Sequence, residues 1–562
     1  MPWIAALLTA ALYLPTLSYG FLLDDFVLFQ TSASLQEAGS IARGFTHDLG
    51  AVRHGGDTVD SSYYRPVFLA LSTLYYQAVG GNPQPWHAAA VALAALIAAL
   101  ACRFLARQGV DDRLALPAAL VFALHPAHVS SVAWAAGLQE LTAACFILAA
   151  LLFAEGSRTR DLALAGVAFA AAVLCKEVAL ALVLWSAWVA WEKREGPGAA
   201  RRWKTAGMYT AIAALYLAAR VAVLGGLAVP PQNAPSLGRA IAAIPVALTT
   251  YAKLLIAPIG FSFFRPERPP ADITSLPVLV ATALLAAGAL LAVWVGRRRP
   301  ELVAPMVWML VWLLPVLNFW ALDPQFMVTD RYLFLPALGL AWLLARLVQA
   351  QDWPPRLGPA LLFGLALAFA LLSLRYEAIF RDERRFLAAM ERAEPTNTLI
   401  HAHKGNMLRR NGNRSGARAA FERVLELDAT MPHALIALGE MELEAGDFAS
   451  AEDHFRKSLV VRPHASRGFK SLTLALARSG QRDAAFVLAD ETATRWPEDF
   501  QAKLIQAVFL AARDRRPEAE AAFAAARALK PNDASIAGGF DATLAALTPS
   551  FLPVYGRRAP GV

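Results

Sequence analysis

The chain has 562 residues, of which 57% are hydrophobic and only 17% charged, and its mean hydropathy is +0.43. That balance excludes a disordered chain. It also argues against a single soluble globule, because apolar runs of about 20 residues, each able to cross the hydrocarbon core as a helix, recur through the first two thirds. The net charge of +8 is not read as nucleic-acid binding, since most Lys and Arg before residue 376 sit in short loops between apolar runs.

In chain order, the expected spans are 3–22, 86–107, 113–129, 137–155, 161–176, 177–192, 205–225, 273–296, 301–322, 331–350 and 356–375. The first has no charged residue before it and no small-residue cleavage pattern ahead of Asp24 and Asp25, so it is read as an uncleaved helix rather than a signal peptide. The segment 240–258 carries Pro245, Tyr251 and Lys253 and is read as an interfacial or re-entrant helix. With these spans the loops holding Arg103, Arg107 and Arg113, then Arg158 and Arg160, then Lys193 to Lys204, then Arg297 to Arg299, and finally Arg346 and Arg356 all fall on one side. The positive-inside rule makes that side cytoplasmic. The N-terminus is then cytoplasmic and the loop 23–85 lies outside. The three cysteines, Cys102, Cys145 and Cys175, all lie in apolar segments and suggest neither a disulfide framework nor a zinc site.

Composition changes near residue 376, where apolar runs give way to charged, alanine-rich sequence with a period of 34. Gly412, Gly446 and Gly480 keep the step, with Asp514 next in register; Ala417, Ala451, Ala485 and Ala519 keep it too. Phe421, Phe455, Ala489 and Phe523 share a third register. Pro395, Pro463, Pro497 and Pro531 share a fourth, with Ala429 in the gap. A 34-residue period of this kind identifies tetratricopeptide repeats, each a helix–turn–helix, which stack into a solenoid. The expected architecture is all-α: a multi-span membrane domain over 1–375, a junction at 376–386, repeats over 387–540 and a tail at 541–562.

Six polar clusters fall at outer ends of the spans: Asp24-Asp25, Tyr64-Arg65, His125 with His128, Gln139-Glu140, Lys176-Glu177 and Asp330-Arg331-Tyr332. Ionisable groups at membrane depth are costly and usually functional. Each cluster also has an ordinary reading: a helix stop for Asp24-Asp25, a self-satisfied pair for Lys176-Glu177, an interfacial ion pair for Asp330-Arg331. His125 and His128 are half of a metal site with no third ligand at close spacing, which favours hydrogen-bonded packing. Together the clusters suggest transfer at a membrane surface. A carboxylate takes a proton from an acceptor hydroxyl, and Lys176, Arg65 and Arg331 stabilise an anionic leaving group such as a phosphate. The acidic pair alone is an incomplete shell for a divalent ion, so a metal is possible but not required.

The stretches LLDDF at 22–26, YYRPV at 63–67, HPAHVSSVAWAAGLQEL at 125–141, LCKEVAL at 174–180, YAKLLIAPIGFSF at 251–263 and DRYLFLPALG at 330–339, followed by the repeats, resemble the GT-C membrane glycosyltransferases. In particular they resemble the TMTC proteins (transmembrane and tetratricopeptide repeat-containing) within the protein O-mannosyltransferase class. The resemblance implies an inverting transfer of a sugar, mannose first, from polyprenyl or dolichyl monophosphate to protein Ser or Thr. It implies a base at Asp24 or Asp25, Asp24 preferred, with Lys176 and Arg331, and Arg65 beside them, near the lipid phosphate. Tyr64, His125, His128, Glu140, Glu177, Asp330 and Tyr332 match the active face without an assigned role. The repeats would recruit an acceptor protein or another partner. A bacterial cytoplasmic membrane with periplasmic repeats is the expected location. The sequence departs from the family's pattern at Ser130, at Leu138-Gln139-Glu140 and at Phe264-Arg265, which bears on acceptor or sugar specificity. The alternatives are a transferase that modifies a glycan or lipid from the same donor, or a non-enzymatic membrane scaffold displaying the repeats.

Overall fold

The computed structural model describes residues 1–30, 33–49, 63–227, 234–260, 262–263, 265, 270, 272–319, 328–463, 466–529 and 534–551. Among these residues every regular element is a helix. The chain divides after Pro395 into two compact units.

The first unit is a bundle of apolar helices, and the chain is a multi-pass membrane protein. Eight described helices are long and apolar enough to cross a membrane: Pro83–Arg107, Ala135–Ala154, Ala199–Leu224, Leu237–Ile256, Leu276–Arg298, Pro300–Leu317, Asp330–Gln349 and Leu357–Arg381. The pair Asp112–Ala123 and Pro126–Val132, bent by 49°, makes a ninth if it crosses as one broken span. The bend falls at His125-Pro126, where proline supplies no N–H to continue the ladder. Pro83–Arg107 shows how the sequence sets such a helix: Asn82 caps it by accepting from the Gln84 N–H at 3.2 Å, Pro83 stands at its first position and Arg107 closes its last turn. Inside the bundle, Phe104 packs edge to face on Trp342 and Trp185 does so on Trp308 and Trp342, Phe104 lies tilted on Trp308 at 5.1 Å, and Trp308 Nε1 donates to Leu335 O at 2.8 Å.

Two expected spans are shorter as helices than the sequence suggested, and the one expected at 161–176 keeps its length. Pro2–Tyr13 continues only as a 3₁₀ turn to Ser18, Thr159–Cys175 has 17 residues, and Ala181–Glu192 has 12. The last two are separated because Lys176 adopts an extended conformation, φ −159°, ψ 131°. The segment read as interfacial forms an unbroken 20-residue helix, Leu237–Ile256, which by length and composition is able to span. Pro245 is accommodated inside it, and the Thr249 hydroxyl donates to Pro245 O and Val246 O just beyond.

The sequence break near 376 precedes the structural one. Helix Glu383–Ala393 belongs to the first unit, where its apolar face of Phe386, Leu387 and Met390 is buried. Phe386 lies 5.5 Å from the Phe263 ring, and the Phe263 N–H points at Met390 Sδ at 3.3 Å. The second unit resumes at Thr396, and its first helix starts at Thr398.

In the second unit the first helix of each pair begins at Thr398, Pro432, Ser466 and Phe500, a constant step of 34. The second helices are Arg414–Leu427, Phe448–Val461, Arg482–Arg495 and Arg516–Leu529, and Phe540–Phe551 follows. The glycine register is a conformational one: Gly412, Gly446 and Gly480 have φ of +76°, +84° and +89°, and Asp514 adopts the same left-handed turn at +58°. Ala417, Ala451, Ala485 and Ala519 are all fully buried. Phe421 and Phe455 press so close to Gly405 and Gly439 that a Cβ at either glycine would come within 2.7 Å of the ring. Pro531 of the proline register lies outside the described residues.

A left-handed residue with a side chain costs about 1–2 kcal/mol relative to glycine. Asp514→Gly is therefore expected to raise the unfolding temperature of the repeats, and Gly480→Ala to lower it by a comparable amount. Thermal unfolding of the detergent-solubilised protein checks both signs.

Candidate active site

The stretch from His125 to Glu140 folds back on itself. His125 Nδ1 accepts from the Ala127 N–H at 3.2 Å, which leaves Nε2 to donate to Leu255 O at 3.0 Å. His128 is buried between the Phe122 and Phe334 rings, 4.9 and 4.3 Å away. His125 is thereby held through both ring nitrogens, whereas neither His128 nitrogen has a hydrogen-bond partner among the described residues. At Gly137 a Cβ would stand 2.3 Å from Ser131 O, so the return of the chain needs glycine there. The 3₁₀ turn Ala135–Gly137 then leaves the Ala136 N–H free of the helix ladder and starts the helix carrying Gln139 and Glu140.

That N–H meets Asp25. Asp25 Oδ1 accepts from Ala136 N at 2.8 Å and Oδ2 from Leu22 N at 3.1 Å, and the residue is completely buried. Asp24, its neighbour, is exposed. The two acids, both expected in the outer loop 23–85, therefore have different surroundings. The cause is local. Leu23 has φ +48°, a left-handed conformation rare for a bulky residue, and a π-helical turn, Phe26–Gln30, follows. The two side chains are thereby sent opposite ways. Burial pushes the Asp25 carboxyl well above the usual range; the Leu22 and Ala136 N–H groups pull it down, and the Asp24 charge raises it further. Because both Asp25 oxygens face backbone donors, the acidic pair does not offer two carboxylates to one ion. Among the described residues no group of three or more His, Cys, Asp or Glu side chains gathers as a metal site.

The cations gather around the same segment. Glu140 is buried and pairs with Lys176, also buried; Arg331 Nε approaches the same Glu140 oxygen at 3.8 Å. Arg65 grips Glu177 with two bonds, at 3.0 and 2.5 Å, and donates to Gln139 Oε1. Rings complete the wall: Tyr63 lies 4.2 Å from the Arg65 guanidinium, Trp134 lies 5.6 Å from Arg331, and Tyr332 lies 5.8 Å from Lys176. Three cations stand against two carboxylates, Glu140 and Glu177, a surplus of one positive charge. Glu140 Oε2 and Arg331 Nε are buried without a hydrogen-bond partner among the described residues. Trp134 Nε1 points at Leu22 O at 3.4 Å, which links this wall to the Asp24-Asp25 turn.

Two expected residues stand elsewhere. Tyr64 donates its hydroxyl to Phe45 O at 3.2 Å and packs on Tyr216, so the neighbouring Tyr63 is the ring facing the cations. Asp330 is held by Arg265, whose Nε and Nη2 reach the same carboxylate oxygen at 3.0 and 2.8 Å. Sequence reasoning did not select Tyr63, Trp134 or Arg265. The only signal at Arg265 was its departure from the family's pattern, and Phe264 beside it lies outside the described residues.

No protein-family model matches the chain. It is similar to curated protein O-mannosyl-transferases: Tmtc1 of Drosophila melanogaster at 32% identity over 185 residues, mouse TMTC3 at 28% over 181 and mouse TMTC2 at 33% over 152. These matches cover 32%, 31% and 26% of this chain, and 21%, 20% and 18% of those proteins, so the similarity spans about a fifth of the relatives' length. Among solved structures, the Cut9–Hcn1 tetramer of the APC/C and yeast Tom70 align at 14% identity with TM-scores of 0.27 and 0.23, covering 84% and 81% of this chain and 88% and 94% of theirs.

Leaving a buried backbone donor without its acceptor costs about 1–3 kcal/mol. Asp25→Asn is therefore expected to lower the unfolding temperature, whereas Asp24→Asn leaves it in place. A carboxyl whose folded pKa is raised gives stability that is full below its unfolded pKa, about 4, and is lost as pH rises through the folded value. The stability gap between wild type and Asp25→Asn should therefore narrow as pH rises from 4 to 8. Unfolding temperatures of the two proteins across that range check the sign, and a gap that widens contradicts it.

Proposed function

We propose that the protein transfers a mannosyl group from a polyprenyl monophosphate to Ser or Thr hydroxyls of extracytoplasmic proteins. The observation that carries this reading is the segment Trp134–Glu140, which ties an exposed carboxylate turn and a surplus-positive cluster to one short stretch of chain. A sugar–phosphate–lipid is a phosphodiester with a single negative charge, which the cluster's surplus matches. The similarity to protein O-mannosyl-transferases supports the same chemistry.

In this mechanism Asp24 accepts the proton of the acceptor hydroxyl. The oxygen attacks the anomeric carbon from the face opposite the phosphate. The bond from that carbon to the phosphate oxygen breaks, its electron pair stays on the lipid phosphate, and the sugar inverts. The phosphate gains negative charge as the bond breaks, so Lys176, Arg331 and Arg65 stabilise the transition state more than the ground state. Asp25 positions the turn and does not take the proton. The apolar grooves between helices hold the lipid tail, and the repeats, which favour a protein over a lipid acceptor, recruit the acceptor or a partner. The reading places the site and the repeats outside a bacterial cytoplasmic membrane, with the N-terminus inside.

Two experiments test this. Purified protein is given radiolabelled mannose on polyprenyl monophosphate together with extracytoplasmic protein extract. Wild type should label protein, and Asp24→Asn should lose at least about 100-fold of the rate while keeping its unfolding temperature. Labelling by Asp24→Asn at the wild-type rate removes Asp24 as base; absence of both transfer and donor binding in wild type favours the scaffold. Separately, a topology reporter fused after residue 562 should be active only outside the cytoplasm, and a cytoplasmic signal breaks the shared outer face.

A further inference from the structure

The cation best placed to meet a ligand sits next to a carboxylate that ought to disable it. Arg331 follows Asp330 in the 3₁₀ turn Asp330–Leu333, and Asp330 is buried. An uncompensated buried carboxylate seeks the nearest cation, and in the linear sequence that cation is Arg331. In the fold Asp330 is instead held by Arg265, from the loop that follows helix Leu237–Ile256, with both side chains about one tenth exposed. Arg265 Nη2 also donates to Gly260 O at 3.2 Å, and Gly260 turns with φ +77°, so the guanidinium is fixed to its own loop as well. Arg331 is left against Trp134, its Nε 3.8 Å from a Glu140 oxygen and without a hydrogen-bond partner among the described residues.

We propose that Arg265 is a positioning residue of the transfer site: by holding the Asp330 carboxylate it keeps the Arg331 guanidinium available to the donor phosphate. This rests on the transferase reading above and adds a residue that touches neither the sugar nor the phosphate. Loss of Arg265 removes the guanidinium that holds Asp330 toward its own loop and lets the carboxylate turn to Arg331, which cancels the surplus positive charge that the donor meets. The defect should therefore fall on donor binding, and removing the Asp330 carboxylate should relieve it. A merely structural role for Arg265 would not be relieved by a second substitution at its partner.

The test measures equilibrium binding of polyprenyl-phosphate mannose, and KM and kcat for transfer, with the full-length protein in detergent. Wild type is compared with Arg265→Ala, Arg265→Lys and the double variant Arg265→Ala/Asp330→Asn. Arg265→Ala should weaken donor binding and raise the donor KM by about tenfold, the scale of one lost charge-assisted contact, with a smaller change in kcat. Arg265→Lys should recover part of the loss, and the double variant most of it. The proposal is overturned if Arg265→Ala binds donor like wild type, if its loss lies wholly in kcat, or if the double variant is as weak as the single one. Should Arg265→Ala not fold, the Lys and double variants carry the comparison: donor binding tenfold weaker in a folded double variant overturns the proposal. Wild type that binds no donor overturns the transferase reading, and this inference with it.

Discussion

A carboxylate buried in an apolar bundle has to be neutralised, and Glu140 is neutralised by cations from two other parts of the chain. Lys176 comes from the break between two helices and Arg331 from the start of another. Removing one member of such a set leaves an uncompensated charge and costs about 3–5 kcal/mol, so the pairing pins three elements at one depth. Glu140 can occupy that place only because the chain doubles back at Gly137. The same return exposes the Ala136 N–H to Asp25 and places Gln139 under Arg65. One tight turn thus sets the spacing between an acid on one side and cations on the other.

Much of this was legible in the sequence. The 34-residue period fixed the repeats because each register has one steric duty: left-handed turns at 412, 446, 480 and 514, and buried small residues at 417, 451, 485 and 519. Even the break in the glycine register was informative, since Asp514 keeps the backbone conformation of the glycines it replaces. The six polar clusters were legible because charge at the end of an apolar run is conspicuous. Their pairings were not. Adjacent acids look alike in a sequence, and it takes the fold, with a left-handed Leu23 just before them, to bury Asp25 and expose Asp24.

The remaining differences share a cause. Tyr63 and Tyr64, like Asp24 and Asp25, are neighbours that the backbone sends to different surroundings, and no pattern of composition ranks one above the other. Helix Glu383–Ala393 has the charged, alanine-containing composition of the repeats, yet its apolar face packs on Phe263 and Phe380. Arg265 carried no motif; its significance comes from a partner 65 positions away. Such cases are settled by what lies across the interface and not by the residue's own neighbours in sequence.

The most direct measurement is the position of the donor itself: a structure of the protein with polyprenyl-phosphate mannose bound. The phosphate is expected within hydrogen-bond distance, about 3 Å, of Lys176 or Arg331, with the anomeric carbon turned toward Asp24. A phosphate bound away from both cations, or a sugar on the far side of the Trp134–Glu140 turn from Asp24, would contradict this mechanism.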